Sequence, residues 1–329
     1  MRTRQAFAAA LLAATPALTG CLTHTRTVPR TRPPEVVYSA SLEQLLQQLD
    51  GRYKATRTAT LFVEISASTG GSVEGQVKEY LNLSGYIIIQ NPDHIRVLLK
   101  LPLGAGRALD MVSDGKNFKM IIPHPGCAII GSDTSLPTQK GFYSLRPAVI
   151  LDSLLIQPFG PTEDVSRTQD SRIIEAPKTK VDILTGKALG KALIEEPDYD
   201  IQFLSQPKGR IARTLRVVHI GRTDLLPYRQ DIYNDEGRIE TQAFYSNYQH
   251  FGDIVFPTKI VIQRPLDELG LTITVTKGTT FNQQLEPDQF DLGPIPASYP
   301  VQNMDDPVSA KSNPCVSHPA PPASAPAAK

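Results

Sequence analysis

The sequence has no tryptophan and only three cysteines among its 329 residues. So few cysteines exclude a dense disulfide scaffold and any zinc site built from four thiolates. Net charge is nearly absent as well: 34 Lys and Arg stand against 33 Asp and Glu, a formal +1. No global basic field exists to hold nucleic acid, and no acidic one to attract cations. The apolar stretch Ala6–Leu18, about 13 residues, falls short of the roughly 20 needed to cross a bilayer. Catalytic signatures are missing too. The histidines, at 24, 94, 124, 219, 250 and 318, form no His-x-x-x-His pair and no zinc helix bearing a Glu. His94 and His219 read as satisfied strand residues. There is no Gly-x-Ser-x-Gly elbow, and Gly104-Ala105-Gly106 lacks the third glycine and the strand–helix context of a nucleotide loop. Asp93/Asp114 and Glu195/Glu196 read as solvated charges in turns. The expectation is a protein that is not an enzyme, with no metal and no cofactor.

What is present fits a folded domain. Hydrophobic residues are 40% and charged residues 20%, enough to bury a core. The 28 prolines argue against a long helical bundle, because each interior proline removes a helix bond. At the N-terminus, Arg2 and Arg4 precede the apolar stretch, which has the length of a signal-peptide core. It ends Leu18-Thr19-Gly20-Cys21, not in an Ala-x-Ala-like site. This resembles the lipobox of bacterial lipoproteins. The resemblance implies a diacylglyceryl group on the Cys21 thiol, cleavage between Gly20 and Cys21, and acylation of the new N-terminus with a fatty chain such as palmitate. Removing residues 1–20 from 329 leaves 309. Residue 22 is Leu where the enterobacterial inner-membrane retention signal has Asp, which implies the outer membrane, facing the periplasm. Thr23–Pro34 has no apolar period and several prolines, so it reads as an extended tether about 35 Å long.

The folded part begins with a helix over Ser41–Tyr53. Ser41 is the N-cap and Gln44 completes a capping box, while Leu42, Leu45, Leu46, Leu49 and Tyr53 share one face. Strands are expected over Ala59–Ala67, Val77–Gln90 (one longer strand or a strand pair), Ile95–Leu101, Ala108–Ser113 and Asn117–Ile122. Pro123–Gly141, holding Cys127, reads as a long loop, and Phe142–Ile156 as a second helix stopped by Pro158-Phe159-Gly160-Pro161. The stretch 162–200 reads as short strands and loops and is a candidate insertion. Strands then resume: Tyr199–Ser205, Thr214–Ile220, Pro227–Tyr233, Arg238–His250, Val255–Gln263 and Leu271–Phe281. Antiparallel connections suffice throughout. Beyond residue 300 a Pro/Ala-rich tail cannot build a core. Cys127 and Cys315 are left for a disulfide or for free thiols.

This order of elements is similar to the LolA/LolB-like family of lipoprotein carriers and receptors. The local matches are Asn91-Pro92-Asp93-His94-Ile95-Arg96, Ser113-Asp114-Gly115-Lys116-Asn117-Phe118, Leu225-Leu226-Pro227-Tyr228-Arg229-Gln230 with Asp235-Glu236-Gly237, Phe256-Pro257-Thr258-Lys259-Ile260, and Asn282 to Phe290. The resemblance implies a mainly β (α+β) fold: an unclosed antiparallel half-barrel over residues 41–300 with a helical lid. The preceding segments are the signal (1–20) and the lipidated tether (21–40), and a tail (301–329) follows. The expected cavity residues are Leu61, Val63, Ile65, Leu81, Leu83, Ile95, Val97, Leu99, Met111, Phe118, Met120, Val217 and Phe244. The same residues read equally well as a filled core. Lid residues are Leu145, Val149, Leu151, Leu154 and Leu155, with the loop 123–141 beside them. Leu101–Gly106 is an apolar loop able to touch a membrane or cargo. The implied function is binding of lipid or lipoprotein acyl chains by a lipid-anchored envelope protein, in lipoprotein or lipid trafficking. The alternative is an envelope-stress or assembly factor that binds a protein partner with the same fold.

Overall fold

The computed structural model describes residues 26, 31–34, 36–71, 75–80, 82–102, 106–135, 145–175, 192–206, 211–286, 288–306 and 309. The signal segment, Gly20, Cys21, Leu81 and Cys315 lie outside the described residues. Contacts divide the chain into a larger unit, 36–170 with 197–329, and a smaller one, 1–35 with 171–196. The strands are β1 (Thr31–Arg32), β2 (Thr58–Gly71), β3 (Gln76–Glu79), β4 (Leu83–Gln90), β5 (His94–Lys100), β6 (Arg107–Ser113), β7 (Asn117–Ile122), β8 (Cys127–Ser132) and β9 (Glu163–Glu175). They continue as β10 (Leu193–Ser205), β11 (Thr214–Gly221), β12 (Pro227–Tyr233), β13 (Ile239–Phe251), β14 (Ile254–Arg264), β15 (Leu269–Val275), β16 (Thr280–Phe281) and β17 (Val301–Asn303). The helices are α1 (Leu42–Ala55) and α2 (Pro147–Leu154).

Helix α1 starts where its chemistry dictates. The Ser41 hydroxyl accepts the Gln44 N–H at 3.2 Å, and the Gln44 side chain accepts the Ser41 N–H at 2.8 Å. Glu43 in the first turn and Arg52 and Lys54 in the last complement the helix dipole. Its buried face, Leu45 and Leu49, packs on Tyr199, Ile201 and Phe203 of β10 and on Val218 and Ile220 of β11.

The larger unit is mainly β, built on one unclosed sheet. Its strands pair antiparallel in the order β10, β11, β12, β13, β14, β15, β2, β4, β5, β6, β7, β8. Strand β2 joins the two halves: Ile65 lies opposite Ile273 of β15 on one side and Leu83 of β4 on the other. Gly85 lets β4 and β5 approach, since a Cβ there would sit 1.9 Å from the Leu98 carbonyl oxygen. Strand β17 adds to β8 in parallel, so the sheet is mixed where antiparallel pairing alone was expected.

Several elements differ from the sequence expectation. The 123–141 loop contains β8, a continuous apolar run paired with β7. The second helix is shorter than expected, because an extended Arg146 sets its start at Pro147. The last predicted strand divides into β15 and β16, while Val77–Gln90 takes the paired one of its two expected forms, β3 and β4. Val301–Asn303, expected in the tail, form β17. Residues 283–300 lead to it across the face of β5 and β7 opposite the core. There Arg96 Nη1 donates to the Gln289 carbonyl and Lys119 Nζ to the Gly293 carbonyl, both at 2.8 Å.

In the smaller unit, the end of the tether is strand rather than free chain: Thr31 and Arg32 pair in parallel with Leu193 and Ile194. Arg172 forms an ion pair with Glu196 at 2.9 Å, and the Ser171 hydroxyl donates to Glu195 at 2.8 Å. The 162–200 stretch is thus the long strands β9 and β10 where it is described.

Candidate functional site: an apolar face, its covering helix and an adjoining cleft

Alternation in β2, β5, β6 and β7 turns one apolar set inward. Leu61, Val63, Ile65, Ile95, Val97, Leu99, Met111, Phe118 and Met120 share one buried cluster, with Leu83 partly buried against it. Val217 and Phe244 do not join it. Val217 lies opposite Asp231 of β12, on the same face as His219. Phe244 lies opposite Arg229 and carries that guanidinium over its ring at 5.6 Å. The inward residues of those strands are Val218, Ala243 and Tyr245. Sequence reasoning missed Ile87, Ile89, Ile260, Ile262 and Ile273, all in strands whose alternation was visible.

Helix α2 lies against this face. Leu145, Leu151, Leu154 and Leu155 are buried in the same cluster, and Val149 is packed at its margin. The helix touches β5 and β6 on one side and β13 on the other. It has no side-chain N-cap bond, no acid in its first turn and no base in its last. At eight residues it would be marginal in water, so packing holds it in place. Its N-cap, Arg146, is buried and donates to the Asp133 carbonyl at 3.2 Å and to the Ser135 carbonyl. Burial first, then the nearby Arg264 charge, push Arg146 below the usual arginine range. Arg264 is 2% exposed and is held by Asp267 at 2.6 Å, Thr241 at 2.9 Å and Glu240 at 3.1 Å. Toward the other end of α2, burial pushes the Asp152 carboxyl above its ordinary range, partly offset by the Gln157 amide.

Beside the end of α2 opens a narrow, mostly apolar cleft. Leu49, Arg52 and Tyr53 of α1 form one wall, Leu154–Ile156 a second, and Tyr245, Tyr248 and Phe256 the third. Tyr248 donates its hydroxyl to the Pro227 carbonyl at 2.7 Å, and burial raises the Tyr248 and Tyr245 phenols above their ordinary range. A neighbouring groove shares Arg52 and Val255 with the cleft and adds Gln48, Gly51 and Asp253. Of these lining residues the sequence singled out Leu49, Tyr53, Leu154 and Leu155, on helical faces with a clear apolar period, and Pro227, Phe256 and Pro257, within the quoted motifs.

The opposite face of the sheet carries a polar network. His219 is bonded to Asp200 at 2.6 Å and to Asp231 at 3.3 Å. Arg229 grips Asp231 with two bonds of 2.7 and 2.6 Å, and the Gln242 amide donates to Asp231 at 3.0 Å. Burial opposes a charge on His219, yet the two carboxylates outweigh it and lift its pKa to about 9. His94 bonds Asp93 at 2.7 Å and stacks edge-on against Phe290. Cys127 is fully buried and disulfide-bonded, with its partner outside the described residues. Among the described residues no group of three or more His, Cys, Asp or Glu is placed to hold a metal. Among them, too, no helix is long and apolar enough to cross a membrane. The expected apolar loop at 101–106 is described only at its ends.

No family model matches the sequence, and no curated protein matches it. Solved structures do. A DUF1329 family protein from Desulfovibrio piger is 13% identical, with 75% of this chain and 95% of that one covered and a TM-score of 0.46. A LolA superfamily protein from Nitrosomonas europaea is 12% identical, covering 77% of this chain and 98% of its own, at a TM-score of 0.44. A putative outer membrane lipoprotein-sorting protein domain from Vibrio parahaemolyticus is 10% identical, with 75% and 94% covered and a TM-score of 0.43. The descriptions of the second and third name the LolA superfamily and lipoprotein sorting, the group that the sequence motifs resemble.

Proposed function

We propose that the chain is a lipid-anchored envelope protein that binds acyl chains between its sheet and its helices. In this reading the curved sheet is a half-barrel and α2 is its lid. The observation that carries the reading is the contact of one short helix with β5, β6 and β13. Five strand spacings separate β5 from β13, about 24 Å along a flat sheet, while eight helical residues span only about 12 Å. A sheet wrapped around α2 satisfies both distances. The helix is held by the kind of apolar burial that an acyl chain supplies, at roughly 0.8 kcal/mol per buried methylene. Displacement of α2 by a chain is then an exchange of like for like, with the adjoining cleft as the entry point. No bond is made or broken and no cofactor takes part.

Cys21 supplies the anchor, and Leu22 directs the protein to the outer membrane with the folded part in the periplasm. Its role is transfer or reception of lipid or lipoprotein chains. Two measurements test this. Cys21→Ser should release the protein from membranes; retention at the wild-type level would sink the lipobox reading. A fluorescent acyl probe should bind the full chain, and Leu151→Ala, which loosens the lid, should strengthen that binding. No probe binding by either protein would overturn the acyl-chain reading.

A further inference from the structure

Among the described residues, Arg52 is the one cation that faces both the apolar cleft and the groove beside it. It lies on the last turn of α1 and is half-buried, and burial lowers its pKa from the ordinary arginine value. Its guanidinium is poorly satisfied. Nη1 makes one long hydrogen bond to the Val255 carbonyl at 3.4 Å, and Nε is buried without a hydrogen-bond partner among the described residues. No carboxylate among the described residues is ion-paired to it. Asp224, whose charge acts on Arg52, accepts the Leu226 N–H at 2.9 Å, and Asp253 is exposed and lines the same groove. Gln48, one helical turn before Arg52, adds an amide to the same groove.

Leaving a guanidinium half out of water without an anion is unfavourable, and a ligand that brings the anion recovers that loss. The guanidinium fork matches the oxygens of a phosphate or carboxylate. We propose that Arg52 is a specificity-determining residue that makes the cleft selective for anionic amphiphiles: the apolar chain enters between α1, α2 and β13–β14, and the phosphate or carboxylate head stays in the groove on Arg52. The proposal rests on the acyl-chain reading above and adds the head to it.

Calorimetry with the full chain separates the two. The probes are octyl phosphate and 1-octanol below their aggregation limits, and inorganic phosphate. Octyl phosphate should bind at least ten-fold more tightly than octanol, with inorganic phosphate silent over the same range. Arg52→Gln should abolish the difference, and Arg52→Lys should retain part of it. Equal affinities for octyl phosphate and octanol in the wild type would overturn the role of Arg52 and leave the acyl-chain reading standing. Selectivity that survives in Arg52→Gln would overturn it as well. Inorganic phosphate binding as tightly as octyl phosphate would show a free-anion site instead of an amphiphile site. Failure of both chains to bind would sink the acyl-chain reading and the selectivity together.

Discussion

Replacing His219 by Gln should remove a pH dependence of stability that the structure makes quantitative. His219 is 14% exposed and bridges Asp200 and Asp231. Its pKa rises from 6.5 to about 9 on folding. At ~1.4 kcal/mol per pH unit, that difference corresponds to about 3 kcal/mol of stability carried by the imidazolium. The sign follows from the direction. Below pH 6.5 the ring is charged in both states and the full contribution is present. Between 6.5 and about 9 the unfolded chain loses its proton first, so the contribution falls steadily. Above that it is gone. Asp231, whose pKa is depressed in the same network, sets the acidic limit: its contribution is lost as pH falls through its folded value. Urea unfolding followed by far-ultraviolet circular dichroism at pH 6, 7.5 and 9 measures this. The wild type should lose about 3 kcal/mol over that range beyond what His219→Gln loses. Parallel losses in the two proteins would refute the charged bridge.

Gly85→Ala should be severely destabilising, by more than ~3 kcal/mol, because the new methyl would collide with the β5 backbone; a melting temperature within a few degrees of wild type would contradict this. Asp152→Asn should stabilise the fold at pH 7.5, because an ionised carboxyl with a raised pKa opposes folding there, and the gain should shrink as pH falls through the folded pKa and vanish below the ordinary value of 3.8, as acidic melts would show. Ser41→Ala should cost about 1 kcal/mol in chemical denaturation, the worth of a helix cap, and no loss would mean the capping box is idle.

The legible parts of the fold are those where one physical signal dominated. Helix α1 combined a single apolar face with a capping box, and β5 alternated cleanly, so both were readable from the chain alone. Strand β8 was hidden because Cys127-Ala128-Ile129-Ile130-Gly131-Ser132 is nearly continuous apolar chain without alternation, framed by turn residues. Strand β9 carries the opposite problem: its side chains are mostly exposed or half-buried, so no hydrophobic pattern announces it. Val217 and Phe244 were assigned to the wrong face for local reasons. Val217 sits beside Val218, so either could point inward, and a register shift follows at His219/Ile220. Phe244 is an apolar ring on the outer face, covered by Arg229. The adjoining cleft was out of reach because α1, α2 and β13–β14 are far apart in sequence and meet only in the fold. Arg52 carries no sequence signal of its own, and only its poorly satisfied guanidinium marks it out.

The central claim, that this fold holds acyl chains, is tested most directly by what the protein carries when purified. Full-length protein extracted from its own membranes, stripped of loosely bound lipid and analysed by mass spectrometry under native and denaturing conditions, should release lipid in near-stoichiometric amount. Leu151→Ala should change that amount. Acyl groups that the proposed lipidation would attach to Cys21 stay with the polypeptide and are counted separately. A preparation that releases no lipid, and takes none up when refilled from vesicles, would contradict the account.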